Sequence, residues 1–572
     1  MDLKRLLSFL LIAAVVCTPV SSAAELDLSK PEELLGFFRL LTDSGDVFER
    51  DYALAYMARA AHNTDAAAVE RLRAVRAEMA AFEKANAPLM ARLNELPPEY
   101  LTECLKDERF AVYEPYLRSI IFSRGEKPAN ADILSALAPS MEFPAELANI
   151  VLGADFNPKP VARPDGTSVP ATAAELSLAL SGNDMRYRRE AFEKYYAALN
   201  EHRNTLAAAL EKHVSGRLLG AELQSPSLNF EAKTFLYRYE MPPAAADMLV
   251  SAVENSMPIY VKHLQLKAYR MGLSTLLPYE GVVPDGAMAG RYTYEQACEL
   301  ILSALKPLGA GYAKHAKRIL ASGHVNYQSA ADKQPGAFCI SAGPYTEPYI
   351  HLNFDGSLNS VTTLAHELGH AVNMVLSRQA QIPALSQPSL AVTETAAILN
   401  EILVSRELLN AAKTPEEVEC AASSYASLIG STLYQQTRYF SFERKIYDLA
   451  ASGGVLTADR ADALWNEVSE AYRGGVIAAP EISNTAWAGI PHLYRDFYVA
   501  TYAFAVAAAE ELADKSRSEV LAFLSSGGNV PAYDLFCAAG VDFSSENAYN
   551  KVVVKLDELY GILKGSRVES RT

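Results

Sequence analysis

The sequence predicts a mainly α-helical protein with one small β-sheet. Three observations carry this expectation. Long Ala/Leu/Glu-rich stretches such as "DAAAVERLRAVRAEMAAFEKANAPLMARLNEL" and "VATYAFAVAAAEELADK" place apolar residues three and four apart, the period of helices that bury one face. One segment, "GAFCISAGPYTEPYIHLNF" (336–354), concentrates aromatic and β-branched residues around a Gly-Pro turn, as strands do. At 572 residues, half of them hydrophobic, the chain is too long for one core, so at least two lobes are expected.

At the N-terminus, Lys4 and Arg5 precede an apolar run from Leu6 to Val16, and the small residues Ser21, Ser22 and Ala23 follow. That order is an export signal over residues 1–23, and the run is too short for a permanent anchor. The expected destination is therefore periplasmic or secreted, with no stable membrane anchor after cleavage. Five cysteines remain beyond it, at 104, 298, 339, 420 and 537, with no CxxC pair and an odd count, so neither a disulfide framework nor a thiolate metal site is visible. The net charge of −16 gives no basic footprint for nucleic acid.

Two Pro/Gly-rich passages, 157–172 and 277–290, interrupt the helical pattern, and the first places Pro164-Asp165-Gly166 between short β-prone runs as a hairpin. Directly after the strand-like segment comes "TTLAHELGHAVNM". On a helical wheel Val361, Leu364, Ala365, Leu368, Val372 and Val375 gather on one face, and His366 and His370 fall opposite, one turn apart, where both imidazoles reach one ion. Glu367 is rotated by about 100° from His366, as suits a carboxylate that works on a water instead of binding metal. Gly369 in mid-helix suggests a close backbone approach. A hydrolytic zinc needs a third protein ligand, and a third histidine six residues on is excluded because Leu376 stands there. Pro383 and Pro388 break the chain, and a new helix carries Glu394 and Glu401 seven apart on one face. Either glutamate can complete the site by position, and His351 is a further candidate.

The stretches "PYIHLNFDGSLNSVTTLAHELGHAVN" and "VTETAAILNEIL" resemble the oligoendopeptidase F branch of the M3 zinc metallopeptidases, relatives of thimet oligopeptidase. The likeness continues through "RYRREAFEKYYAALNEHRNTLAAAL", "YVKHLQLKAYRMGL", "WAGIPHLYRDFYVATYAFA" and "LSSGGNVPAYDLFCAAGVDF", in order from about residue 180 to 565. The resemblance implies a helical shell around a deep substrate cleft with the small sheet beside the HExxH site. It implies an N-terminal helical lobe over 24–200 and a catalytic domain over 201–565. It makes His366, His370 and Glu394 the ligands of one Zn2+, favouring Glu394 over Glu401, and makes Glu367 the general base for a zinc-bound water. His492, Tyr498 and Tyr502 match a catalytic loop in which the family often has another tyrosine at the position of Ala500. The implied activity is a zinc-dependent oligoendopeptidase acting on internal bonds of short unfolded peptides. An export signal is atypical of this mostly intracellular branch.

An extended peptide could pair with the strand edge near Ala337–Ile340 or Tyr349–Leu352. Two other readings stand beside the endopeptidase. A zinc carboxypeptidase on a similar scaffold would need a cation for the substrate's terminal carboxylate, which the sequence does not single out. A non-catalytic peptide-binding protein would have no use for Glu367, which is dispensable for holding metal.

Overall fold

The computed structural model describes residues 26–565 except 115–116, 118–119, 122–130, 183, 225–228, 281–291, 331–332, 335, 344–345 and 382–384. The expected export signal and most of the 277–290 connection lie outside the described residues. The described residues are mostly helical with only small sheets, as the sequence predicts. No helix among them is long and apolar enough to cross a membrane.

A large hydrophobic core runs from Ala148 to Leu563 and surrounds the HExxH segment. A smaller, separate core forms within the first helices, where Leu34, Phe37 and Phe38 meet Leu89, Leu93, Leu101 and Phe110. The helices Pro31–Ala61 and Ala66–Glu95 build this N-terminal hairpin. It is tied to the rest by an ion pair between Glu49 and Arg378, by the Gln334 amide donating to the Ala60 carbonyl at 2.8 Å, and by Tyr56 meeting Phe338 edge-on at 5.1 Å.

Strands β1 (Pro160–Ala162) and β2 (Ser168–Pro170) form the hairpin expected around Pro164-Asp165-Gly166. Gly166 adopts φ +87°, a left-handed turn that glycine enters freely, and Asp165 accepts from the Thr167 amide at 2.8 Å. The second sheet contains β3 (Val325–Gln328), β4 (Phe338–Ile340) and β5 (Tyr349–Phe354) in the order β3-β5-β4. Strand β5 is parallel to β3 and antiparallel to β4, with Cys339 opposite Ile350. Because β5 is central, Tyr349–Leu352 has no edge to offer a peptide, which corrects one of the two expected pairing positions. Of the two expected positions, only Ala337–Ile340 includes an edge strand, β4.

Gly356 turns the chain out of β5 with φ +81°, and Ser357 caps the next helix by accepting from the Ser360 amide at 3.1 Å. This HExxH helix spans Leu358–Ala380. All six apolar residues assigned to its inner face are buried. The glutamate helix, Leu390–Ala411, packs directly across it. Gly369 sits at the crossing, where an added Cβ would lie 2.7 Å from the Ala396 oxygen and 2.7 Å from the Ala397 Cα. Asn400 stitches the same pair by donating to the Ala365 carbonyl at 3.1 Å while accepting from the Tyr312 hydroxyl at 2.9 Å. A third helix, Ala500–Leu512, packs against the glutamate helix and is almost wholly buried.

Gly369→Ala should therefore destabilise the protein by about 1–3 kcal/mol, because backbone rather than a flexible side chain meets the new methyl. Thermal melts would show this as a lowered midpoint; an unchanged midpoint would mean that the two helices can separate without cost.

Candidate active site

The close crossing at Gly369 brings Glu394 under the two histidines. Imidazole Nε2 atoms of His366 and His370 face each other at 3.1 Å, and Glu394 Oε2 lies 3.5 Å from the first and 3.9 Å from the second. These three atoms form a cluster able to hold one cation. Glu394 Oε2 is buried and has no hydrogen-bond partner, and it lies beside two imidazole nitrogens turned toward one another. Such a donor set fits a divalent metal such as zinc, which accepts nitrogen and carboxylate oxygen together.

Electrostatics support the same arrangement. Burial opposes the charge on Glu394, but His370, His366 and the Tyr498 hydroxyl outweigh it and hold the carboxyl down at about 2. Burial pushes His370 down to about 4, which keeps its imidazole neutral and able to ligate. His366 is also opposed by burial, yet the hydrogen bonds and charges of Glu394 and Glu401 hold it well above the usual histidine range. Glu401 accounts for part of this, because its Oε1 meets His366 Nδ1 at 2.8 Å. That contact orients the ring and leaves Nε2 aimed at the cluster. The two glutamates left open by helical spacing thus occupy different places, Glu394 at the cluster and Glu401 behind His366.

Glu367 is buried beside the histidines, and its Oε2 has no partner. Burial and then the neighbouring Glu394 and Glu401 charges raise it, against His366, to about 7. His351, the other candidate ligand, is elsewhere. Its Nε2 meets the Gln334 carbonyl at 2.9 Å, and its ring stacks on Phe338 at 4.7 Å.

The loop "PHLYRDFY" leads into the helix Ala500–Leu512 and brings the remaining predicted residues to the cluster. The Tyr498 hydroxyl donates to Glu394 Oε1 at 2.5 Å. His492 stacks on Tyr498 at 5.5 Å, and Tyr502 meets both rings edge-on, at 5.4 Å from Tyr498 and 6.0 Å from His492. Burial, followed by the charge of nearby Arg495, pushes His492 down to about 4. Burial and Glu394 raise both tyrosines far above their ordinary value, so they remain phenols able to donate.

Sequence reasoning did not find what holds this loop. Asp496 and Phe497 adopt φ +53° and +63°, a left-handed pair that non-glycine residues enter at a cost. Buried Asp496 is held by His213 at 2.9 Å, Arg238 at 3.0 Å, Arg217 at 3.2 Å and the Tyr447 hydroxyl at 3.2 Å. Burial would raise its carboxyl, but His213, Arg217 and Arg238 prevail and lower it. The Phe497 amide donates to Glu443 Oε1 at 2.7 Å, and the Tyr239 hydroxyl donates to the Asp496 carbonyl at 2.7 Å. No short spacing links residues 213, 238, 443 and 496, so no local pattern announces the cluster.

A helical protein in which an HExxH helix and a following glutamate helix present two imidazoles and a carboxylate to one point, with a free glutamate beside them, defines a metallopeptidase. Residues 178–554 match Peptidase family M3. The chain belongs to peptidase family M3, as a metalloendopeptidase whose substrates are peptides. It is 27% identical over 479 residues to Oligopeptidase PepF of Bacillus subtilis, a match covering 80% of this chain and 70% of that one. It is 26% identical over 422 residues to the plasmid oligoendopeptidase F of Lactococcus lactis subsp. cremoris, covering 72% of this chain and 69% of that relative. The solved structure of oligoendopeptidase-F from Enterococcus faecium shares the fold at a TM-score of 0.77 and 18% identity, covering all of both chains.

Glu443 supplies a test of the loop's anchoring. Burial pushes its carboxyl well above the usual 4.5, so the protonated group fits the fold better than the charged one. Its stabilising contribution is fully present below pH 4.5 and is lost as pH rises through the folded-state value. Glu443→Gln keeps an acceptor for Phe497 and removes the titration, so its melting midpoint should exceed that of the wild type by a margin that widens from pH 4.5 upward. Parallel stability curves would show that Glu443 does not titrate in this range.

Proposed function

We propose that the protein is a zinc-dependent oligoendopeptidase that hydrolyses internal bonds of short unfolded peptides, with one zinc ion held by His366, His370 and Glu394. The observation that carries this reading is the convergence of those three donors next to Glu367, a buried carboxylate with an oxygen to spare. The names borne by the curated relatives support the same substrate class.

When bound, zinc would polarise the scissile carbonyl and acidify a water. Glu367 accepts the proton of the attacking water and returns it to the leaving amine. It is the group in the site with an unused oxygen and a carboxyl raised toward neutrality. The oxyanion that develops needs a donor. Tyr498 already donates to Glu394, so it fixes that ligand's orientation, and His492 and Tyr502 are the neighbouring donors not committed to Glu394. Glu401 keeps His366 in the tautomer that presents Nε2.

A mixed set of internally quenched peptides tests the reading, using protein without residues 1–23, with and without a zinc chelator, beside Glu367→Gln. Internal cuts should vanish with chelator, return with about one equivalent of zinc, and fall by roughly 10²–10⁴ in kcat for Glu367→Gln. Cuts that survive chelation, or removal of terminal residues alone, would exclude it.

The protein is further proposed to be exported, on the strength of the charged, apolar and small-residue order of residues 4–23. N-terminal sequencing of protein from its native cells should begin near residue 24. Intact Met1 in a cytosolic fraction would rule out export.

A further inference from the structure

The loop that carries His492 and Tyr498 also carries Arg495, and this arginine is set apart from its neighbours. Arg217 and Arg238 both pair with Asp496. Arg495 is exposed and has no carboxylate partner among the described residues. Its guanidinium carbon instead lies 5.2 Å over the ring of Tyr498, the residue whose hydroxyl touches Glu394. Of the site's carboxylates, Glu394 is engaged with the histidines and Tyr498 and Glu401 with His366, while Glu367 has an unpartnered oxygen but makes no ion pair with Arg495. A positive charge beside the cluster is therefore left without an ion-pair partner among the described residues.

The root of this side chain is unusually well fixed. The Arg495 amide donates to the His492 carbonyl at 2.9 Å, and its own carbonyl accepts from Tyr239 at 3.2 Å. The next residue is the buried, ion-paired Asp496 with its left-handed backbone, followed by Phe497 held through Glu443. An arginine on a rigid loop, with its fork lying along an aromatic face, loses little freedom when it closes on a carboxylate. Loop strain that positions only His492 and Tyr498 would not require a cation here.

We propose that Arg495 is a specificity-determining residue that binds a carboxylate of the peptide substrate close to the scissile bond. At about 3.3–3.6 Å of extended chain per residue, that carboxylate belongs within about two or three residues of the bond cut. Two sources share this chemistry, the free C-terminus of a short peptide and an Asp or Glu side chain. The inference deepens the peptidase reading and rests on it for the meaning of the site, but the binding step can be measured without turnover.

The experiment uses zinc-loaded protein carrying Glu367→Gln, so that peptides persist, with and without Arg495→Gln, Arg495→Lys or Arg495→Glu. Calorimetry gives Kd for a neutral octapeptide as free acid and as C-terminal amide, and for amides in which one Glu or Gln is stepped along the chain. A peptide that presents its carboxylate correctly should bind about five- to tenfold more tightly than its neutral match, as a partly exposed charge-assisted pair would give. The ratio should fall to about one in Arg495→Gln, recover in part in Arg495→Lys, and invert in Arg495→Glu. Dependence on amidation identifies the C-terminus as the source, and dependence on the stepped Glu identifies a side chain. A ratio near one in the parent, or an unchanged ratio in Arg495→Gln, overturns the proposal. If the ratio behaves as expected but wild-type protein cuts none of the peptides, the subsite stands and the endopeptidase reading fails.

Discussion

The contact on which the site depends is the crossing of the HExxH helix and the glutamate helix at Gly369. Because no side chain separates it from the backbone of Ala396 and Ala397, the helices approach until Glu394 lies below His366 and His370. The carboxylate and imidazoles come from segments joined by a proline-broken connection, so nothing local fixes their distance. Packing does: the buried faces of both helices and of Ala500–Leu512 set the spacing, and Asn400 pins the register through the Ala365 carbonyl. Close-packed interiors transmit such constraints with little slack, which gives a small residue at one crossing control over atoms one turn away.

A second constraint acts on the loop that carries His492 and Tyr498 and is electrostatic. Asp496 is buried with three basic side chains around it, and its backbone is left-handed along with that of Phe497. A conformation of this kind costs of order 1–3 kcal/mol per residue and persists only where surrounding contacts determine it. Here the ion pairs, the Tyr239 hydroxyl and the Glu443 carboxyl group do so, joining helices far apart in sequence to the loop. The result aims Tyr498 at Glu394 while turning Arg495 outward. The contact to Glu394 and the outward arginine are thereby referred to a single rigid segment.

Much of this arrangement was legible before the structure. The HExxH spacing and the apolar stripe from Val361 to Val375 place both histidines on one face, and the structure buries that stripe as the wheel requires. The hairpin around Asp165-Gly166 and the strands near 338–340 and 349–354 follow from turn chemistry and β-branched composition. Strand order was not legible: β5 is central because β3, which precedes it by twenty residues and more, returns to its far side. Helical spacing alone did not separate Glu394 from Glu401, since two residues seven apart on one helix face look alike until the partner helix is placed; the family resemblance alone favoured Glu394.

What the sequence by itself determined is therefore periodic and local: helical class, the paired histidines with their glutamate, the helix that carries the third carboxylate, and the turns between elements. Hydrophobic period and turn residues encode these within a few turns of chain, and the motif order carries the family. Only the tertiary structure set Glu394 against the histidines and Glu401 behind His366, bonded Tyr498 to Glu394, stacked His351 in the sheet instead, and left Arg495 without an ion pair among the described residues. Each of these is a distance between groups remote in sequence. Such distances are set by the packing of whole helices and the pairing of buried charges, which no short pattern of residues records.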